Sequence, residues 1–277
     1  MSEQVSRRAA VTGLVLLAVS AAAPLPDAPV LPAQARDLWP GPHVVRRGRW
    51  STVVGHDAGF DAGFDAAGLD ELARAADTAG RRVSAVLARP VRPLIVVPAD
   101  AREAARLARV GGVDGLAAVA DGARVIVVPE AFATLNPVGR DVVLAHELTH
   151  VVAGTDGLPV WLYEGFADYV AYRDAGLPVA TAAAELAAEV RAGRLPTVLP
   201  GPAAFAADGG DPAGLARAYQ EAWLACRFLA DRFGEGTLVR LYRAARVDGA
   251  DRALAALGLS VATLTARWRA YVRDQLV

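Results

Sequence analysis

The chain has 277 residues, with 29 basic against 30 acidic side chains and a formal net charge of -1. That balance offers neither a basic footprint for nucleic acid nor an acidic tail, and a hydrophobic content of 54% excludes a wholly disordered chain. The single cysteine, Cys226, excludes an internal disulfide framework, a cysteine-rich zinc site and an iron–sulfur cluster.

In chain order, Arg7 and Arg8 precede an apolar run from Ala9 to about Ala23. A positive flank before such a run is the pattern of a secretory signal, and the run is short for a membrane span. Small residues permit cleavage after Ala23 or after Ala35; left uncleaved, residues 1–23 form a single anchor with the two arginines inside and the rest of the chain facing outward. Both alternatives imply export, to the medium or to the outer face of the cell membrane. Residues 24–50 read as a proline-rich linker, since prolines recur at 24, 26, 29, 32, 40 and 42. The remainder, 51–277, reads as the folded domain.

The tandem Asp57-Ala-Gly-Phe60 and Asp61-Ala-Gly-Phe64 predicts a loop. Asp65 is placed to cap a helix reaching about Thr78, where Leu69, Leu72, Ala73 and Ala76 make a helical stripe. The apolar run bounded by Pro93 and Pro98 predicts a strand, and residues 101–109 a helix. A second strand over 124–128 is stopped by Pro129. Helices are expected over about 138–152 and from Pro159, then over 180–192, 213–233, 235–246 and 260–275, with a long loop from Arg194 to Pro212. Strands gather in the first half and helices in the second, an α+β arrangement.

Only four histidines occur, His43, His56, His146 and His150. The first two have no partner at metal spacing and read as surface or loop residues. The others belong to His146-Glu147-Leu148-Thr149-His150, where residues i and i+4 project from one helical face about 40° apart, so both imidazoles can reach one cation. Glu147 lies about 100° round from His146, beside the cation, where a carboxylate can take a proton from an activated water. Leu144, Leu148, Val151 and Val152 make an apolar stripe opposite.

A hydrolytic zinc site needs a third protein ligand. Trp161-Leu-Tyr-Glu164-Gly-Phe-Ala-Asp168-Tyr offers one: Glu164 and Asp168 share a helical face, Gly165 allows close helix approach, and the flanks are too apolar for a solvated surface. Glu164 can complete the ligand set, and Asp168 can accept the N–H of a ligating imidazole and fix its tautomer.

Together these two segments resemble the gluzincins, the peptidase MA-like, thermolysin-related zinc metallopeptidases. The resemblance is specific over residues 141–172. It implies a zincin-like fold with an active-site cleft between a strand-bearing and a helical half, one zinc ion on His146, His150 and Glu164, Glu147 as general base and Asp168 behind a histidine. It implies peptide or protein substrates; the charge balance argues against a nucleic-acid partner, and the chain is expected to be a monomer. It also implies that the edge strand before the active helix, here 124–128, receives an extended substrate. Two departures stand out: thirteen residues separate His150 from Glu164, fewer than in thermolysin, and Gly165 stands where thermolysin-type enzymes carry Asn.

An oxyanion donor is also required. The resemblance implies a Tyr or His donor at about the distance past the Glu ligand where Tyr219 lies, against the alternative of a buried structural tyrosine, and Tyr163 and Tyr172 compete for the role. Cys226 reads as a packed small hydrophobe. The residues therefore lead to an exported zinc peptidase; a non-catalytic exported binding domain that retains the fold is the alternative.

Overall fold

The computed structural model describes residues 43–56, 64–206 and 211–277. Residues 1–23, expected as a signal or anchor, the proline-rich stretch as far as Pro42, the tandem repeat over 57–63 and residues 207–210 of the expected long loop lie outside the described residues. Among the described residues no helix is long and apolar enough to cross a membrane. The chain divides after Gly154 into two compact units.

The first unit is built on a five-stranded sheet in the order β1-β2-β3-β5-β4, with β1 His43–Arg47, β2 Thr52–His56, β3 Leu94–Val97, β4 Ala118–Asp121 and β5 Arg124–Val127. β1 and β2 are antiparallel, as are β4 and β5, while β2, β3 and β5 run parallel. The parallel strands are joined through α1 (Ala66–Leu87) and α2 (Ala101–Ala108), as parallel pairing requires. Ile95, Val96, Val125 and Ile126 are buried on both faces, the continuous apolar pattern of covered parallel strands.

β1 takes up residues 43–47 of the stretch expected to be linker. The proline run ends at Pro42, and His43-Val-Val-Arg-Arg47 supplies two β-branched residues and a backbone N–H at every position for the ladder. His43 and His56, expected at the surface or in loops, are Cα partners in the β1–β2 ladder. The turn between these strands is held from α1: the Asp77 carboxylate accepts from the backbone N–H groups of Arg49 (2.6 Å), Trp50 (3.0 Å) and Ser51 (2.8 Å). Burial pushes the Asp77 carboxyl up, but these donors outweigh it and hold it below its usual value.

α1 continues past Thr78 to Leu87. Gly80, which has the look of a helix breaker, is instead a contact: a Cβ there would lie 2.8 Å from Pro93 Cγ. α3 (Pro129–Ala133) and α4 (Pro137–Ala153) complete the unit. β5 is not an edge strand; β3 and β4 pair to its two sides, because Gly122 and Ala123 turn β4 back on it, and the edge on that side is β4.

The second unit is helical: α5 Val160–Tyr172, α6 Val179–Ala182, α7 Ala184–Arg191, α8 Pro212–Phe233, α9 Glu235–Asp248, α10 Ala250–Ala255 and α11 Val261–Leu276. A 3-10 turn, Pro202–Phe205, interrupts the long segment before α8. α8 is the hub, packing against α5, α7, α9 and α11, and its buried Ala218, Ala222, Ala225 and Leu229 explain why neighbours can approach so closely. The mixed α+β architecture, with strands in the first half and mainly helices in the second, matches the sequence expectation.

Candidate metal centre

α4 carries the two histidines, and its ends are defined by the sequence. Asn136 Oδ1 accepts from Gly139 N (2.8 Å), Pro137 opens the first turn, and Gly154, at φ 69°, stops the helix. Residues 142–150 are buried on every side, so α4 is an interior helix. It packs on α1 and on the β4–β5 hairpin. Arg82 of α1, only 7% exposed, pairs with Asp141 on α4 at 2.6 Å. Thr149 turns its hydroxyl back to the Ala145 carbonyl (2.7 Å), which leaves the motif's chemistry to its histidines and glutamate.

The two imidazoles converge. Nε2 of His146 and Nε2 of His150 are 2.8 Å apart, and the rings meet edge to face with centroids at 4.6 Å. Ring nitrogens at that separation share either a proton or a cation. His146, His150 and Glu164 form a buried group whose ligand atoms all lie within 4.8 Å of one another. Two imidazole nitrogens and one carboxylate oxygen are the donor set of a three-ligand catalytic metal site, so these residues fit a divalent cation. Glu147, next to His146, is 1% exposed.

Glu164 and Asp168 stand one turn apart on α5, and both are buried, as the apolar flanks required. Gly165 between them does what close packing needs. A Cβ there would collide with the backbone carbonyl of Ala222 on α8 and would sit 3.1 Å from Cys226 Sγ. Cys226 is fully buried, with Sγ 3.7 Å from the Leu162 carbonyl, and burial with the Asp168 charge pushes its thiol well up. It is a packing residue, as expected.

The three tyrosines considered as oxyanion donors have separate surroundings. Tyr219 is buried on α8, its ring edge-on to Phe205 with centroids 5.0 Å apart. Tyr172 stacks on Trp223 at 5.0 Å, and burial with the charges of Asp168 and Glu185 raises its hydroxyl far above the usual range. Tyr163 is half-buried; desolvation and the Glu164 charge push it up to about 12. Tyr163 and Tyr172 are thus protonated hydroxyls at neutral pH.

Tyr242 of α9 is the residue sequence inspection did not single out. It is 2% exposed, stacks on Phe166 with centroids 4.3 Å apart, and feels the charges of Glu164 and Tyr163 beyond its own desolvation. The stripe Leu238, Leu241, Tyr242 and Ala245 marked it as core, but only packing sets its ring beside the residues flanking Glu164.

No protein-family model matches the chain, and no curated protein is a significant match to it. The fold and the cluster define an α+β protein with a buried two-histidine, one-glutamate group that could hold a metal ion.

Proposed function

We propose that the chain is an exported zinc metallopeptidase of gluzincin type, hydrolysing peptide bonds in peptide or protein substrates. The observation that carries this reading is the buried convergence of His146, His150 and Glu164, with Glu147 directly beside the first ligand. The zincin-like arrangement and the monomeric state belong to the same proposal, and so does export through residues 1–23, cleaved or kept as an anchor.

Bound to these three side chains, zinc would supply Lewis-acid polarisation of the scissile carbonyl and a lowered pKa for the attacking water. Glu147 takes the proton of that water on its carboxylate and returns it to the departing amine nitrogen. Asp168 accepts an imidazole N–H, holding one ligand in the tautomer that presents its other nitrogen. A tyrosine hydroxyl, Tyr219 in first place, donates to the developing oxyanion.

The test is cleavage of a mixed peptide library with zinc content measured on the same sample. Wild type is expected to carry about one zinc per chain and to cleave; Glu147→Gln to keep the metal and lose turnover; Glu164→Ala to lose the metal. Hydrolysis retained in Glu147→Gln would overturn the assignment of the base. Zinc-loaded protein inert across the library would mark a non-catalytic binding domain instead.

A further inference from the structure

Within the helical unit, an open groove of about 970 Å³ runs between the start of α5, the segment 197–202 and one face of α11. Its walls are apolar: Trp161, Tyr163, Val198, Leu199 and Ala266 are among them. Val198 is 67% exposed, an apolar side chain left in solvent at the groove's rim.

The sequence of α11 accounts for both of its faces. Leu264, Trp268, Val272 and Leu276 recur every fourth residue and are buried in the core. Ala262, Thr265, Ala266 and Arg269 follow the i, i+3, i+4, i+7 pattern on another face and line the groove. Three small residues leave the space, and the fourth, Arg269, brings a positive charge to its lining. Arg269 is the only charged residue lining the groove, and no acidic side chain lines it among the described residues. Its Nε is buried with no hydrogen-bond partner among them. Arg269 is half-buried, and a cation among apolar walls with no acidic neighbour in the described lining suits an anionic group entering the groove.

We propose that this groove binds the C-terminal residue of a peptide, with an apolar side chain against Trp161 and Leu199 and the free carboxylate on Arg269. The proposal rests on the peptidase reading. Tyr163 lines the groove, and the next residue along α5 is the candidate ligand Glu164, one peptide step of about 3.8 Å away. That adjacency favours a peptide over a free fatty acid, which shares the same chemistry of apolar body and carboxylate.

The test is binding to the full-length Glu147→Gln variant, so that hydrolysis neither consumes the ligand nor enters the measurement. Calorimetric titration would compare N-acetyl-Ala-Leu as free acid with the same dipeptide as C-terminal amide, and with laurate. The acid is expected to bind about ten-fold or more tightly than the amide. Arg269→Met should erase that preference while zinc content stays unchanged, and Ala266→Trp, which fills the groove, should abolish binding of both. Equal affinity for acid and amide, no binding of either, or a preference intact in Arg269→Met would overturn the proposal, as would binding of laurate with none of the dipeptide acid. Wild-type cleavage of the library with no acid-dependent binding would leave the peptidase reading standing and remove the groove from it. Binding as expected with no cleavage would do the reverse.

Discussion

Gly165 and Ala222 meet where no side chain fits between them. The position a Cβ would take on Gly165 falls against the Ala222 carbonyl, a backbone group of α8 that cannot swing aside. The residue before Gly165 is Glu164, so this contact fixes how deeply the candidate ligand's helix seats against α8.

Gly165→Ala therefore trades a gain in helix propensity for a backbone collision. The gain is about 1 kcal/mol and the overpacking penalty about 3 kcal/mol, for a net loss of about 2 kcal/mol. At Gly139, by contrast, the nearest atoms to a new Cβ are at 3.5 Å, ordinary contact, so Gly139→Ala keeps the propensity gain without a collision and should raise stability by up to about 1 kcal/mol. Thermal unfolding of the two variants side by side checks this; equal effects would refute the packing account.

Metal removal should lower stability if the cluster is occupied in solution, because a ligand bound only by the folded state stabilises it by mass action. Chelation of the zinc-loaded protein is expected to lower Tm by several degrees, and His146→Ala should abolish the chelator's effect. A Tm indifferent to chelator in zinc-loaded wild type would argue against a metal on these residues.

Glu221, largely buried on α8, has its carboxyl raised from 4.5 to about 7 by desolvation, with Arg217 only partly opposing. Because the folded value is the higher one, its contribution is intact below pH 4.5 and is lost as pH rises through about 7. By pH 8 the ionised form costs on the order of 3 kcal/mol. Glu221→Gln should accordingly gain on wild type between pH 5 and pH 8 in chemical denaturation. A pH-independent difference between the two proteins would contradict the shift.

The Arg82–Asp141 pair ties α1 to the helix that carries both histidines. Asp141→Ala takes the carboxylate from a buried guanidinium and should cost about 3 kcal/mol. Replacing both partners, as Arg82→Met with Asp141→Leu, should cost clearly less, since no charge is then buried. The double-mutant cycle from denaturant melts measures the difference; additive losses would show that the pair does not act as one unit.

Much of this protein is determined locally. The i, i+4 spacing of His146 and His150 puts two imidazoles on one helical face whatever surrounds the helix, because the helical repeat alone sets it. The same repeat pairs Glu164 with Asp168, and their apolar flanks foretold burial. Pro129, Pro137, Asn136 and Gly154 mark their element boundaries through fixed φ, lost donors and a left-handed stop.

Tertiary structure decided the rest. β1 and β2 are five-residue strands whose turn is anchored by Asp77, distant in sequence, so no local pattern announced them. β5 is an interior strand because β4 folds back on it, and pairing partners are not written in a strand's own residues. Gly80 and Gly165 look like weaknesses in helices and prove to be contact points, since only a neighbouring element says what a missing Cβ makes room for. Tyr242 and Arg269 gain meaning in the same way: one is set beside Phe166, the other lines an apolar groove that holds no acidic side chain among the described residues. Four histidines and one cysteine narrowed the chemistry from the start, because ligand types are a property of composition. Whether two imidazoles and a carboxylate meet is a property of packing, and here their ligand atoms lie within 4.8 Å of one another.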